Sequence, residues 1–303
     1  MSELPNLVIA GVEKAGTTSL FFYLSQHPEI CASHVKEINY FFPRGCMNGE
    51  LEPIAEYAKQ YAHHRGEPYR LEASPSYWYG GTPVILAMRQ TLDRPRILVS
   101  LREPVSRFWS AYTFLKSMAR LDKALTVDEY IAECQGIERQ QEGPPERTHH
   151  TPLSIGLYHE YLLPWLGAFG QDLKVVFAES LFAQPRAVVS DLCGWLAIDG
   201  AAADRLDYQA RNETIRPRSY ALAKVADLAK ERLNKRLWQS TTARRVLRDA
   251  YRAVNSGGQT ETLEPQVRER LEAFYSQSNA LLAAELTSRG YTKLPAWLSP
   301  GVR

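Results

Sequence analysis

Three segments of this chain carry residue types at spacings suited to handling an anion. The first is Gly11-Val12-Glu13-Lys14-Ala15-Gly16-Thr17-Thr18-Ser19, set between an apolar run at 7–10 and an apolar segment at 20–24. That order predicts a buried strand, a glycine-flanked loop and a helix start. Such a turn aims loop and helix-terminal N–H groups at one point, which makes an anion site. The Gly11-x4-Gly16 spacing matches a Walker-type phosphate loop. Gly-Thr-Thr, however, stands where Gly-Lys-Ser or Gly-Lys-Thr belongs, and the lysine lies inside the loop as Lys14. The pattern describes a phosphate cradle with its cation moved and without the usual magnesium-binding context. The second segment follows another buried strand, Ile97-Leu98-Val99-Ser100-Leu101. It is Arg102-Glu103-Pro104-Val105-Ser106-Arg107-Phe108-Trp109-Ser110-Ala111-Tyr112, an R-x-P-x-x-R-x-x-S-x-Y string. The third is Lys36-Glu37-Ile38-Asn39-Tyr40-Phe41-Phe42, a charged pair leading into an aromatic run.

In this order and spacing, the three segments resemble the sulfotransferases that use 3′-phosphoadenosine 5′-phosphosulfate (PAPS), in their heparan sulfate and bacterial branch. The likeness covers residues 5–200 and is looser beyond. It implies an α/β fold: a parallel sheet flanked by helices, of P-loop NTPase-like sulfotransferase type, with a helical C-terminal part. It implies PAPS as co-substrate and no metal. Lys14 would steady the charge that builds on the leaving phosphate. Ala15, Gly16, Thr17, Thr18 and Ser19 would bind the 5′-phosphate, although hydroxyls at a helix start also serve as simple caps. Arg102 and Ser110 would hold the 3′-phosphate, since a guanidinium offers a planar fork of donors; an ion pair with Glu103 is the other use of Arg102. Arg216 and Arg218 occupy the place of the family's late basic loop and are further candidates for the 3′-phosphate.

The resemblance also implies a general base at Glu37, with Ile38, Tyr40, Phe41 and Phe42 as a hydrophobic setting that raises its pKa. His34 is the rival base, because imidazole titrates near neutrality. Glu72 and Tyr77, with Trp78, are expected to line the acceptor cleft, core packing being the other reading of the aromatics. The heparan branch commonly has E-K-S/T-P-x-Y at Leu71–Tyr77. Its lysine is Ala73 here, so that branch's acceptor specificity does not carry over. The acceptor is expected to offer a hydroxyl, with an amine as second choice, on a small molecule, glycan or lipid.

The elements that must position these groups follow from the rest of the chain. With 303 residues, 45% hydrophobic and 23% charged, the composition is that of a globular protein with a large core. One domain over 1–303 is expected, because both phosphate motifs must serve one ligand. Its parts are an α/β core at 1–200, an irregular acceptor-side segment at 122–152, and a basic loop and helical tail at 205–300. Strands are expected at 29–32, 69–73, 97–101 and 173–177, and helices at 54–63, 83–92, 105–119, 157–169 and 184–196. In the tail, Val267, Leu271, Phe274, Ser278, Leu281 and Leu282 fall near one helix face, with Gly290 as a stop.

Net charge is +2, from 36 basic and 34 acidic residues, which excludes bulk-charge binding of nucleic acid. Basic residues gather at 211–252, twelve Lys or Arg against four Asp or Glu. They read either as solvated helix faces or as a rim for an anion or membrane surface. Cys31, Cys46, Cys134 and Cys193 show no metal spacing, and free thiols in a reduced compartment are expected. His63-His64 and His149-His150 lack a ligand partner at metal spacing. No signal segment and no 18-residue apolar run is present, so a cytoplasmic, bacterial enzyme without a membrane span is expected. Two other readings stay open: a kinase using ATP and magnesium, and a catalytically silent nucleotide-binding scaffold.

Overall fold

The structure, a computed structural model, describes residues 4–43, 49–138, 151–209 and 262–299. Five strands, β1 (Leu7–Gly11), β2 (Ile30–Ala32), β3 (Tyr69–Ala73), β4 (Arg96–Leu101) and β5 (Leu173–Phe177), form one parallel sheet in the order β2-β3-β1-β4-β5. With them come helices α1 (Thr17–Leu24), α2 (Ile54–Ala58), α3 (Gly81–Thr91), α4 (Pro104–Ser117), α5 (Val127–Glu138), α6 (Tyr158–Phe169), α7 (Ala178–Ala183), α8 (Pro185–Leu196) and α9 (Pro265–Ser288). This is the parallel, helix-flanked sheet that the sequence predicts, with its helical C-terminal part.

All five residues of β1 are buried. Leu7 and Ile9 enter the apolar cluster shared with α1 and α8, while Val8 and Ala10 enter the one shared with α3, α6 and α9. Side chains alternate between the faces, and a parallel sheet is covered on both, so the strand reads as an unbroken apolar run. From β1 the chain lays β2 and β3 to one side, then β4 and β5 to the other. The carboxyl ends of β1 and β4 therefore border the crevice where strand order reverses, the usual ligand position in open α/β sheets.

Several elements differ from the sequence reading. The segment expected to be irregular contains α5. Its start is a capping box: Thr126 N–H and Oγ1 donate to Glu129 Oε2 at 2.8 Å each, and Glu129 N–H donates back to Thr126 Oγ1 at 3.3 Å. Tyr130 and Cys134, one helical turn apart, bury against Val105 and Phe108. The helix expected over 54–63 is α2 followed by a 3-10 turn, Lys59–Tyr61. A short helix, α7, follows β5 directly. On α9 the buried stripe is Val267, Leu271, Tyr275, Ser278, Leu282, Ala283 and Leu286. Leu281 is exposed and Phe274 only partly buried, because each sits one residue, about 100° of rotation, off the stripe. The basic stretch at 211–252, Cys46 and His149-His150 lie outside the described residues.

Candidate active site

The phosphate loop is fixed at both ends by neighbouring strands. An added Cβ on Gly11 would lie 2.6 Å from the Cβ of Trp78, so only glycine lets β1 and the buried 3-10 turn Pro75–Gly80 approach this closely. Val12 N–H donates to the Ser100 carbonyl at 2.9 Å, and Ser100 Oγ donates to the Ala15 carbonyl. Lys14 and Gly16 take left-handed backbone conformations, φ 66° and 82°, which fold the loop back toward the start of α1. Gly16 is the N-cap of α1, and no side chain caps the helix. The hydroxyls of Thr17, Thr18 and Ser19 are therefore not engaged as caps. Thr17, Ser19 and Ala15 are buried and Thr18 is half-buried.

The Lys14 ammonium lies 3.9 Å from the centroid of the Phe114 ring on α4, a cation–π contact. Burial pulls its pKa down to about 8; Glu13 pulls it back up, Arg102 lowers it further and Glu37 raises it. None of the described carboxylates forms an ion pair with Lys14. The loop thus presents a partly desolvated cation, the state in which an arriving anion gains most.

Arg102 follows β4 directly and faces the same loop. Its Nη1 donates to the Lys14 carbonyl at 3.2 Å, and its own carbonyl accepts Tyr158 Oη–H at 2.8 Å. Burial lowers its pKa, with Glu179 the leading opposing charge. The ion pair with Glu103 considered from sequence is not the one formed. Glu103 instead accepts Arg268 Nη1 at 2.9 Å from α9 and caps α4 through Ser106 N–H at 3.2 Å. Its backbone N–H donates to Glu179 Oε1 at 2.7 Å. Ser110 is half-buried, two turns into α4. Arg107 is buried, and its Nη2 donates to the Pro152 carbonyl, a structural clasp. No motif in the sequence singles out Phe114, Tyr158 or Glu179. Glu179 had a readable signal, since it follows the carboxyl end of β5.

If the two cations serve one nucleotide, Arg102→Ala weakens binding of adenosine 3′,5′-bisphosphate by roughly 1.5–3 kcal/mol, the scale of a charged hydrogen bond. Binding of the analogue lacking the 3′-phosphate stays almost unchanged. Titration calorimetry with both ligands checks this; equal losses would assign Arg102 to the scaffold.

Glu37 stands beyond the carboxyl end of β3. Its N–H donates to the Ala73 carbonyl at 2.8 Å, and its backbone is left-handed, φ 67°. Among the described residues, the hydrophobic setting expected around its carboxylate is not found. The side chain is 53% exposed and pairs with Lys36 Nζ at 2.6 Å, while Tyr40 and Phe41 turn into the core. Left-handed turns at Glu37 and Asn39 (φ 56°) separate the carboxylate from its aromatic sequence neighbours. It remains within electrostatic reach of Lys14. His34 is exposed, and its Nε2 lies 3.0 Å from His63 Nδ1. Burial, then His63, lower its pKa.

Glu72 and Tyr77, expected on the acceptor cleft, are both 0% exposed. Glu72 Oε1 accepts Ser74 Oγ–H at 2.7 Å and Tyr77 Oη–H at 2.6 Å, and Oε2 accepts Tyr57 Oη–H. Burial raises the Glu72 pKa against the pull of these three hydroxyls. A polar residue on a strand looks cleft-facing in sequence; here the strand is covered on both faces, and its carboxyl is satisfied inside the core. Trp78 is likewise core. Arg216 and Arg218 lie outside the described residues.

Among the described residues, no group of three or more His, Cys, Asp or Glu is placed to hold a metal ion, and no helix is long and apolar enough to cross a membrane.

The family model described as "Sulfotransferase domain" matches residues 4–279. A membrane-associated sulfotransferase of Dictyostelium discoideum is 34% identical over 111 residues, 37% of this chain and 23% of that protein. A heparan sulfate glucosamine 3-O-sulfotransferase of Mus musculus is 27% identical over 194 residues, 64% of this chain and 44% of that protein. The chain thus spans less than half the length of either relative. A crystal structure of a sulfotransferase from Alicyclobacillus acidocaldarius superposes with a TM-score of 0.67 at 24% identity, covering 97% of this chain and 99% of that one. That likeness is one of fold.

Proposed function

The chain belongs to the sulfotransferase domain family, and from that premise we propose that it moves a sulfuryl group from PAPS to an acceptor hydroxyl. The observation that carries this reading is the meeting of Lys14 and Arg102. They are two partly buried cations on the adjacent loops that follow β1 and β4, joined by the hydrogen bond from Arg102 to the Lys14 carbonyl, with the first turn of α1 free of any side-chain cap. These residues suit a nucleotide with phosphates at both ends of its ribose. Ala15, Gly16, Thr17, Thr18 and Ser19 bind the 5′-phosphate through loop N–H groups and hydroxyls. Arg102 and Ser110 hold the 3′-phosphate, with Arg216 and Arg218 as further candidates. PAPS supplies the activated sulfuryl group.

Glu37 takes the proton of the acceptor hydroxyl as its oxygen bonds to sulfur. Lys14 neutralises the charge left on the phosphate oxygen as the bond between that oxygen and sulfur breaks. A single cation suffices, because a sulfuryl group carries less charge than a phosphoryl group, so no metal is assigned. The carboxylate of Glu37 is half-exposed, where solvent and an acceptor could approach it. The acceptor is a glycan, lipid or small molecule bearing a hydroxyl, with an amine as second choice. A cytoplasmic setting accords with Cys31 and Cys193 as buried free thiols.

Adenosine 3′,5′-bisphosphate at a hundred times its Kd is expected to stabilise the fold by about 2.7 kcal/mol, because it binds only the native state. ATP with magnesium stabilises it far less. Melting curves with each ligand check this, and a larger shift with ATP and magnesium would favour a kinase.

A further inference from the structure

The Glu37 segment hangs from β3 and the turn that follows it by three hydrogen bonds at alternate residues. Glu37 N–H donates to the Ala73 carbonyl at 2.8 Å, Asn39 N–H to Ser74 Oγ at 3.0 Å, and Phe41 N–H to Tyr77 Oη at 3.3 Å. Two of these acceptors are hydroxyls, and a hydroxyl faces a loop N–H with a lone pair only if its proton points elsewhere. In both, the proton points to Glu72 Oε1. One buried carboxyl thereby sets the polarity of both hydroxyls. Tyr57 fills the other oxygen, and its ring stacks on Tyr40 of the same segment, centroids 4.1 Å apart and planes 7° from parallel.

The segment needs such an anchor. Glu37 and Asn39 both have positive φ, a backbone state that costs free energy for residues other than glycine and persists only where surrounding contacts over-determine it. Asn39 adds local support: its Nδ2 donates to the Glu37 carbonyl at 2.8 Å, and its Oδ1 accepts Ser76 Oγ–H. A fully buried carboxyl is itself unfavourable, and an apolar side chain would serve packing alone better.

We propose that Glu72 is a positioning residue: through Ser74 and Tyr77 it locks the left-handed backbone that carries Glu37 and so aims the Glu37 carboxylate. The backbone part stands on the hydrogen bonds alone; the catalytic part rests on Glu37 being the base proposed above.

Glu72→Gln keeps the shape, but its amide must donate where the carboxylate only accepted. Ser74→Ala removes one loop acceptor and leaves Glu72 its two tyrosine donors, so it serves if Glu72→Gln fails to fold. Amide exchange followed by mass spectrometry reads the segment directly and needs no acceptor. In Ser74→Ala, peptides spanning 37–42 are expected to exchange about tenfold faster, the order of one lost hydrogen bond. Peptides over 7–16 and the affinity for adenosine 3′,5′-bisphosphate stay unchanged. Turnover from PAPS is expected to fall roughly ten- to a hundredfold, the scale of a small misplacement of a reacting group, with KM for PAPS unaltered. In a Glu37→Gln background, Ser74→Ala should cost nothing further. Unchanged exchange over 37–42 would overturn the anchor. Fully additive losses would show that Ser74 and Glu72 act on stability and not through Glu37. If the wild-type chain neither binds the bisphosphate nor turns over PAPS, the sulfotransferase reading fails, while the exchange result still decides the anchor.

Discussion

Lys14→Ala is expected to lower turnover by about 10²–10³-fold, the usual cost of removing one preorganised group that stabilises transition-state charge. Affinity for adenosine 3′,5′-bisphosphate should fall far less, because charge on the leaving oxygen develops only as the bond to sulfur breaks. The fold should survive, since Lys14 sits in a loop held by Ser100 and forms no ion pair among the described residues. The pH dependence gives an independent readout. Burial holds the Lys14 pKa at about 8, below an ordinary lysine, and only the protonated form can neutralise the leaving group. In the free enzyme that form is complete below pH 8 and is lost as pH rises through it. Therefore kcat/KM declines on an alkaline limb centred near 8. A bound phosphate favours the ammonium, so the same limb in kcat lies higher. Lys14→Arg keeps its charge to higher pH and should move the kcat/KM limb upward even if its turnover is lower. Near-normal turnover in Lys14→Ala would remove this side chain from the mechanism.

The frame of this site is legible in sequence because buried parallel strands are apolar on both faces. The runs at 7–10 and 97–101 could be little else once each led into a turn and a helix. They place Lys14 and Arg102 at the sheet's carboxyl edge. What is not legible depends on direction. Glu72 and Glu37 are both single carboxylates beside aromatics in the sequence. Two left-handed residues turn Glu37 outward, and double coverage of β3 turns Glu72 inward. Neither periodicity nor composition encodes that choice. Phe114 beneath Lys14 escapes for a similar reason: α4 brings it under the loop across a hundred residues of chain. The start of α5 is a different case. Thr126-Val127-Asp128-Glu129 is a capping box that sequence inspection can find, hidden by the Gly-Pro-rich stretch that follows.

Glu37→Gln is expected to produce the second large effect. Glutamine keeps the length and the hydrogen-bonding shape of the side chain but cannot take the acceptor's proton. Turnover should drop by about 10²–10⁴-fold, the range for losing acid–base catalysis. Bisphosphate affinity should stay within a few-fold if Glu37 acts on the acceptor; the ion pair it forms with a described residue is to Lys36. Loss of the base also removes the acidic limb of the rate–pH profile, because that limb reports protonation of the catalytic carboxylate. The exposure of Glu37 sharpens the test. With 53% of the side chain exposed, the carboxylate depends on the arriving acceptor to exclude water around it. Larger acceptors should therefore show higher kcat, not only lower KM, and Glu37→Gln should erase that advantage. His34→Gln is the control. The His34 ring is paired with His63 at 3.0 Å, and burial lowers its pKa, so its removal should leave the acidic limb in place. If His34→Gln abolishes turnover while Glu37→Gln barely changes it, the base is His34, and Lys36 holds Glu37 only as a surface ion pair.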